Sequence, residues 1–128
     1  MNKMPHNSVV WFEIPVSNLE KAKTFYAKVT GFALKDQDMG PNKTAVFGYS
    51  GTEDMDASDA VSGHLYEGNP GAKGTGNTIH LAVGNIDEAL KRVGPAGGEV
   101  VSDIIPIPAG RFAYCLDPDG NSFGLFSA

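Results

Sequence analysis

Two stretches decide the reading of this chain: Pro15-Val16-Ser17-Asn18-Leu19-Glu20-Lys21-Ala22 (PVSNLEKA) and Ala82-Val83-Gly84-Asn85-Ile86-Asp87-Glu88-Ala89 (AVGNIDEA). Each closes an apolar, β-branched run, sets an Asn where a helix N-cap belongs, and opens an amphipathic segment. After Asn18, residues Leu19, Ala22, Phe25, Tyr26 and Val29 recur at helical spacing, and Gly31 ends the pattern. After Asn85, with Glu88 at the capping-box position, Ile86, Ala89, Leu90 and Val93 form a second stripe, ended by Gly94-Pro95. The offset that carries Asn18 onto Asn85 also carries Gly31 onto Gly98. One supersecondary unit used twice explains the order of the elements.

Working outward, Val9–Val16 reads as the strand before the first helix. Ala33–Lys35, Thr44–Tyr49 and Val61–Tyr66 read as the strands after it. Gly40-Pro41-Asn42 marks a turn, and the acidic stretch Gly51–Asp59 a loop. Residues 67–77 (EGNPGAKGTGN) read as a flexible linker. The second copy then runs through strands Thr78–Val83, Val100–Ile104, Phe112–Leu116 and Ser122–Phe126. The tight turn Asp117-Pro118-Asp119-Gly120 lies before the last of these. The expected organisation is a single domain over residues 1–128, with module one at about 8–66 and module two at about 78–127.

Bulk properties narrow the function classes. A hydrophobic fraction of 41% supports a core, and a net charge of −5 without a Lys/Arg cluster argues against nucleic acid. The apolar runs are strand-sized, so no membrane span is expected. With one cysteine, Cys115, and no signal-peptide pattern in MNKMPHNSVVWFEI, a cytoplasmic location is the default expectation.

FEIPVSNLEKAKTFYAKVTGF, IHLAVGNIDEALKRVGPAGGEVV and FAYCLDPDGNSFGLF together resemble the glyoxalase/bleomycin resistance/dioxygenase (vicinal oxygen chelate) superfamily. The resemblance implies an α+β fold of two tandem βαβββ modules, forming a curved mixed sheet around a small-molecule cleft. It also implies a homodimer, whose interface the sequence does not show.

Strand alternation sorts the side chains into two faces. Phe12, Ile14, Val16, Ile79, Leu81, Val83, Phe123 and Leu125 should pack under the helices. Trp11, Glu13, Pro15, Thr78, His80, Ala82, Ser122, Gly124 and Phe126 should face the cleft. Aligning Ser62-Gly63-His64-Leu65 with Ser122-Phe123-Gly124-Leu125 puts His64 on the cleft side too. Glu13, His64 and His80 are therefore expected to converge, with Trp11 as an aromatic wall.

Metal-dependent members of the family place ligands on the first strand of each module and on the last. Carried over by motif, those positions are Trp11, Thr78, a residue near His64, and Gly124. Only His64 suits a divalent transition metal, so the chain departs from the pattern. Three readings of Glu13 and His80 stay open. They form a hydrogen-bonded polar pair, an acid/base pair, or with His64 a shifted two-histidine, one-carboxylate metal site. The cofactor is accordingly none or an unidentified divalent metal.

Other candidates carry a structural and a functional reading side by side. Arg111 reads as a solvated edge charge or an anchor for a substrate carboxylate. Tyr49, Tyr66 and Tyr114 read as core residues or cleft lining. Cys115 reads as a buried, inert thiol. Asp36 and Asp38 read as part of a hairpin turn, since the downstream Glu of a calcium loop is missing. The expected activity is that of a glyoxalase-like lyase, isomerase or oxygenase with Glu13 and His80 as catalytic residues, Trp11, Thr78, Arg111 and Gly124 contacting a small-molecule substrate. The alternative is a non-catalytic protein that sequesters a ligand, as bleomycin-resistance members do. The loops at residues 36–43, 51–59 and 105–110 should set the size of the cleft.

Overall fold

The structure is a computed structural model that describes residues 9, 11–39, 42–48 and 61–128. The order is β1 (Trp11–Val16), α1 (Leu19–Thr30), β2 (Leu34–Met39), β3 (Asn42–Phe47), β4 (Ser62–Glu67), β5 (Ile79–Ala82), α2 (Ile86–Val93), β6 (Glu99–Val100), β7 (Ile105–Ile107), β8 (Gly110–Leu116) and β9 (Ser122–Ser127). The two βαβββ modules expected from the repeat are both present. Their strands form two mixed sheets, ordered β1-β4-β3-β2 and β5-β9-β8-β6, with β7 beside β6 on the same flank of β8. In both sheets the first strand lies parallel to the last, and the other pairings are antiparallel.

Local chemistry accounts for the helices. The Asn18 side chain accepts from the Lys21 amide and the Asn85 side chain from the Glu88 amide, each at an extended cap residue. Gly31 closes α1 with φ 81°, a left-handed conformation that glycine adopts without strain. Gly94 ends α2 as expected, but without the left-handed turn of Gly31. It is right-handed, and the chain keeps turning until Gly97, at φ 106°. Arg92 near the end of α2 donates to the Lys28 and Val29 carbonyls, so one helix caps the C-terminus of the other.

The core lies where both modules meet. Ile14, Val16, Leu65, Ala45 and Phe47 of sheet one face the same helical layer as Leu81, Ala113, Cys115, Phe123 and Leu125 of sheet two. Tyr26 of α1 ties the halves together. Its ring lies 5.6 Å from Phe47 and 5.4 Å from Phe123, and its hydroxyl donates to buried Asp117 at 2.7 Å. Asp117 also accepts from the Asp119 and Asn121 amides and from the Asn121 side chain. The Asn121 side chain amide donates to the Pro15 carbonyl as well, pinning β1 to module two.

Three boundaries differ from the sequence reading. Asp36 and Asp38 lie inside β2 rather than in a turn, and Asp36 pairs with Lys23 of α1. The strand expected at 100–104 is split into β6 and β7. At the break the Tyr114 amide donates to the Ser102 hydroxyl instead of a backbone carbonyl. The stretch expected as a loose linker is docked on module two, with the Gly74 amide bonded to the Gly120 carbonyl and Lys73 paired with Glu99. Its first residue, Glu67, ends β4 and accepts from the Leu19 amide at the start of α1. Tyr49 and the acidic loop 51–59 lie outside the described residues.

Candidate functional site

Each sheet turns one face to the helices and the other, outer, face away from them. Register fixes what stands on each outer face. On sheet one a cross-strand row runs Glu13, His64, Val46, Lys35. On sheet two the equivalent row begins His80, Gly124, Tyr114. The pairing of Glu13 with His64 and of His80 with Gly124 matches the expected alignment of the two last strands.

Sheet one holds a polar chain. The Trp11 indole N–H donates to His64 Nδ1 at 2.9 Å, and His64 Nε2 lies 3.0 Å from Glu13 Oε1. An indole nitrogen can only donate, so Nδ1 is the acceptor and the imidazole proton sits on Nε2, the nitrogen nearer the carboxylate. His64 is 6% exposed, whereas the Glu13 side chain is 63% exposed and Trp11 38%. The site therefore has a buried imidazole at its base and a carboxylate and an indole at its rim.

Sheet two holds an aromatic patch. His80 lies over Gly124, where any Cβ would overlap the imidazole. The His80 ring stands 5.3 Å from Phe112 and 5.6 Å from Tyr114, and those two rings are 5.4 Å apart, all edge to face. Burial against these rings holds the His80 pKa below the usual histidine value, favouring the neutral form. Tyr114, Val101 and Ile107 remain open to solvent around the patch. Thr78 bonds hydroxyl to hydroxyl with Ser122 at 2.7 Å.

The expected convergence is thus only half realised. The structure brings Glu13, His64 and Trp11 together. It leaves His80 with Phe112, Tyr114 and Gly124 on the other sheet, because no strand pairing joins β1 to β5 within the chain. Among the described residues no three His, Cys, Asp or Glu side chains stand close enough to hold a metal ion. Gly124 acts as the floor beneath His80. Arg111 faces the helix side and pairs with Asp87 of α2 at 3.2 Å, away from both outer faces. Cys115 is buried in the core, and burial pushes its thiol up to about 11. Phe112 was missed by sequence reasoning, although its alternation with Arg111 and Ala113 already assigned it to the face of Tyr114.

A groove of about 250 Å³ lies where the docked linker meets Gly98, Asp117 and Gly120. Its buried carboxylate, Asp117, already receives four donors and has none of its capacity left for a ligand.

The family model for the Glyoxalase/Bleomycin resistance protein/Dioxygenase superfamily matches residues 8–125. The chain belongs to that superfamily. It is 28% identical over 119 residues to CFP32 of Mycobacterium tuberculosis, a match covering 92% of this chain and 44% of CFP32. It is 26% identical over 123 residues to the anthracycline biosynthesis protein DnrV of Streptomyces peucetius, covering 92% of this chain and 40% of DnrV. The superfamily member thus spans less than half the length of these relatives. Among solved structures, TnmS3, an antibiotic binding protein from Streptomyces sp. CB03234, is 29% identical, with a TM-score of 0.68 and 98% of both chains covered. No described helix is long and apolar enough to cross a membrane.

Proposed function

We propose that this superfamily member is a small-molecule binding protein for a ligand with a planar aromatic body. The observation that carries the reading is the pair of outer faces: an exposed indole anchored on a buried histidine, and an open cluster of His80, Phe112 and Tyr114. Rigid aromatic walls of this kind bind planar molecules with little loss of side-chain entropy. The residues at the family's metal positions support the same reading. Trp11 and Gly124 offer no side-chain ligand, Thr78 is engaged with Ser122, and His64 Nδ1 already accepts from Trp11. The residues present at these positions therefore do not fit a divalent metal. The relation to TnmS3 and DnrV is in keeping with an antibiotic-like ligand.

The full site in this proposal is shared between two copies. β1 and β5 end their sheets, so each offers an edge for pairing. Pairing β1 of one copy with β5 of the other sets the indole wall beside the aromatic patch. A homodimer in the cytoplasm is the corresponding state.

Trp11 is the single tryptophan of the chain, so its fluorescence reports the site directly. Titration with an anthracycline should quench it saturably. Tyr114→Ala should weaken binding by about tenfold, the loss of one well-packed aromatic contact. Light scattering should give a dimer mass. Absence of quenching by planar aromatics, or affinity unaffected by Tyr114→Ala, would overturn the reading. The Glu13–His64 contact favours one second reading, proton transfer by this pair. That reading requires a substrate whose turnover, and not its binding, is lost in Glu13→Gln.

A further inference from the structure

The binding reading leaves open what the polar end of the site recognises, and the inference that follows rests on that reading. We propose that Glu13 and Trp11 form a recognition point for a protonated amine carried by the aromatic ligand.

Trp11 and Glu13 stand on one face of β1, two residues apart, which places their side chains roughly 7 Å apart along the strand. An ammonium between them meets an exposed carboxylate on one side and an indole on the other. Both attract a cation, the first by charge and hydrogen bonding, the second through the ring quadrupole.

His64 Nε2 lies 3.0 Å from Glu13 Oε1. Because the Trp11 N–H occupies His64 Nδ1, the imidazole in this arrangement is neutral and does not cancel the carboxylate charge. Glu13 also has no Lys or Arg partner among the described residues. The one cation in its cross-strand row, Lys35, stands three strands away. At about 4.8 Å per strand that is some 14 Å, beyond the screening length of physiological salt. Several acids elsewhere on the surface are paired with a cation: Asp36 and Glu20 with Lys23, Asp87 with Arg111, Glu99 with Lys73. Glu13 is a carboxylate on the outer face of sheet one with no Lys or Arg partner among the described residues.

The test uses a matched pair of probes, anthracenylmethylammonium and the uncharged anthracenylmethanol, measured by equilibrium dialysis on the intact chain. The ammonium should bind about tenfold more tightly to the wild type, and rising salt should weaken it alone. Glu13→Gln, which keeps the shape and removes the charge, should bring the ammonium down to the affinity of the alcohol and abolish its salt dependence. Equal binding of the two probes to the wild type, or a preference that survives in Glu13→Gln, would overturn the amine inference while leaving the aromatic-binding reading intact. Failure of both probes to bind would remove that reading and this inference together. If the variant does not fold, the salt dependence of the wild type decides: an equal effect of salt on both probes sinks the proposal.

Discussion

The two modules share one ladder and differ in where a ring lies over a glycine. In module one the ring is Phe12 over Gly63, on the helix side. In module two it is His80 over Gly124, on the outer side. The partner positions compensate. Phe123 fills the helix side of module two, and His64 occupies the outer side of module one. The repeat thus conserves backbone pairing while the large side chains trade faces. The exchange gives one sheet a buried polar chain and the other an open aromatic patch. Divergence of two copies around a fixed hydrogen-bond pattern is enough to make an asymmetric site from a symmetric scaffold.

The sharpest way to break the comparison is at the turn before β9. Asp117 accepts four hydrogen bonds there, one from buried Tyr26, and Asp117→Ala leaves those donors unsatisfied. Urea unfolding should show a loss of about 3 kcal/mol. A loss under about 1 kcal/mol would mean that the modules are not coupled through this residue.

The glycines come next. A Cβ at Gly63 would overlap the Phe12 carbonyl as well as its ring, and backbone cannot swing aside. A Cβ at Gly124 meets only the His80 side chain, which can rotate into solvent. Gly63→Ala should cost about 2–3 kcal/mol and Gly124→Ala less than about 1 kcal/mol, in thermal or urea melts of the two variants. Gly124→Ala should nevertheless weaken aromatic ligands by displacing His80 from Phe112 and Tyr114. Equal costs at the two glycines would erase the distinction between ring-on-backbone and ring-on-surface packing.

The caps should behave alike. Asn18→Ala and Asn85→Ala each remove one side-chain acceptor from an N3 amide. Each should lower stability by about 1 kcal/mol, and a large inequality would show that the helices are not equivalent.

The smallest effect is alkaline. Cys115 is the counterpart of Phe47 across the repeat, since Tyr114 pairs with Gly124 as Val46 pairs with His64. Its thiol titrates at about 11 when folded, against 9.0 unperturbed. The unfolded chain therefore releases this proton first, and stability is full below about pH 9 and declines towards pH 11. Cys115→Ala should flatten that decline, by roughly half a kcal/mol near pH 9 and more above it. Tyr26, held well above its ordinary value by burial and by Asp117, adds to the decline at higher pH in both proteins. An unchanged pH slope in the variant would show that the thiol is not the group titrating.

Much of this was legible in the chain before any coordinates. Asn18, Asn85 and the stripes behind them located both helices, because capping and helical periodicity are local properties. Strand alternation assigned Ile14, Val16, Leu81, Phe123 and Leu125 to the core and His64 to the outer face, and the register agrees. The β6–β7 break was not legible, because it depends on the Ser102 hydroxyl meeting the Tyr114 amide of a strand twelve residues later. Arg111 stands as an exposed edge charge, one of its two readings, but its pairing was not legible for a related reason. Its partner, Asp87, lies in a helix remote in sequence.

What the sequence by itself determined is the module, its twofold use and the face on which each side chain stands, since these follow from periodicities of a few residues. The relation between the modules was decided only by tertiary structure. Glu13 and His80 are mates in the repeat, and alternation placed them on equivalent faces. Whether equivalent faces meet depends on which edges pair. Within the chain that choice went to the helices: Tyr26 packs on Phe47 and on Phe123, and Asn121 holds Pro15. Burial of those rings joins the modules through their helical layer, so the polar and aromatic halves of the site are left on separate sheets.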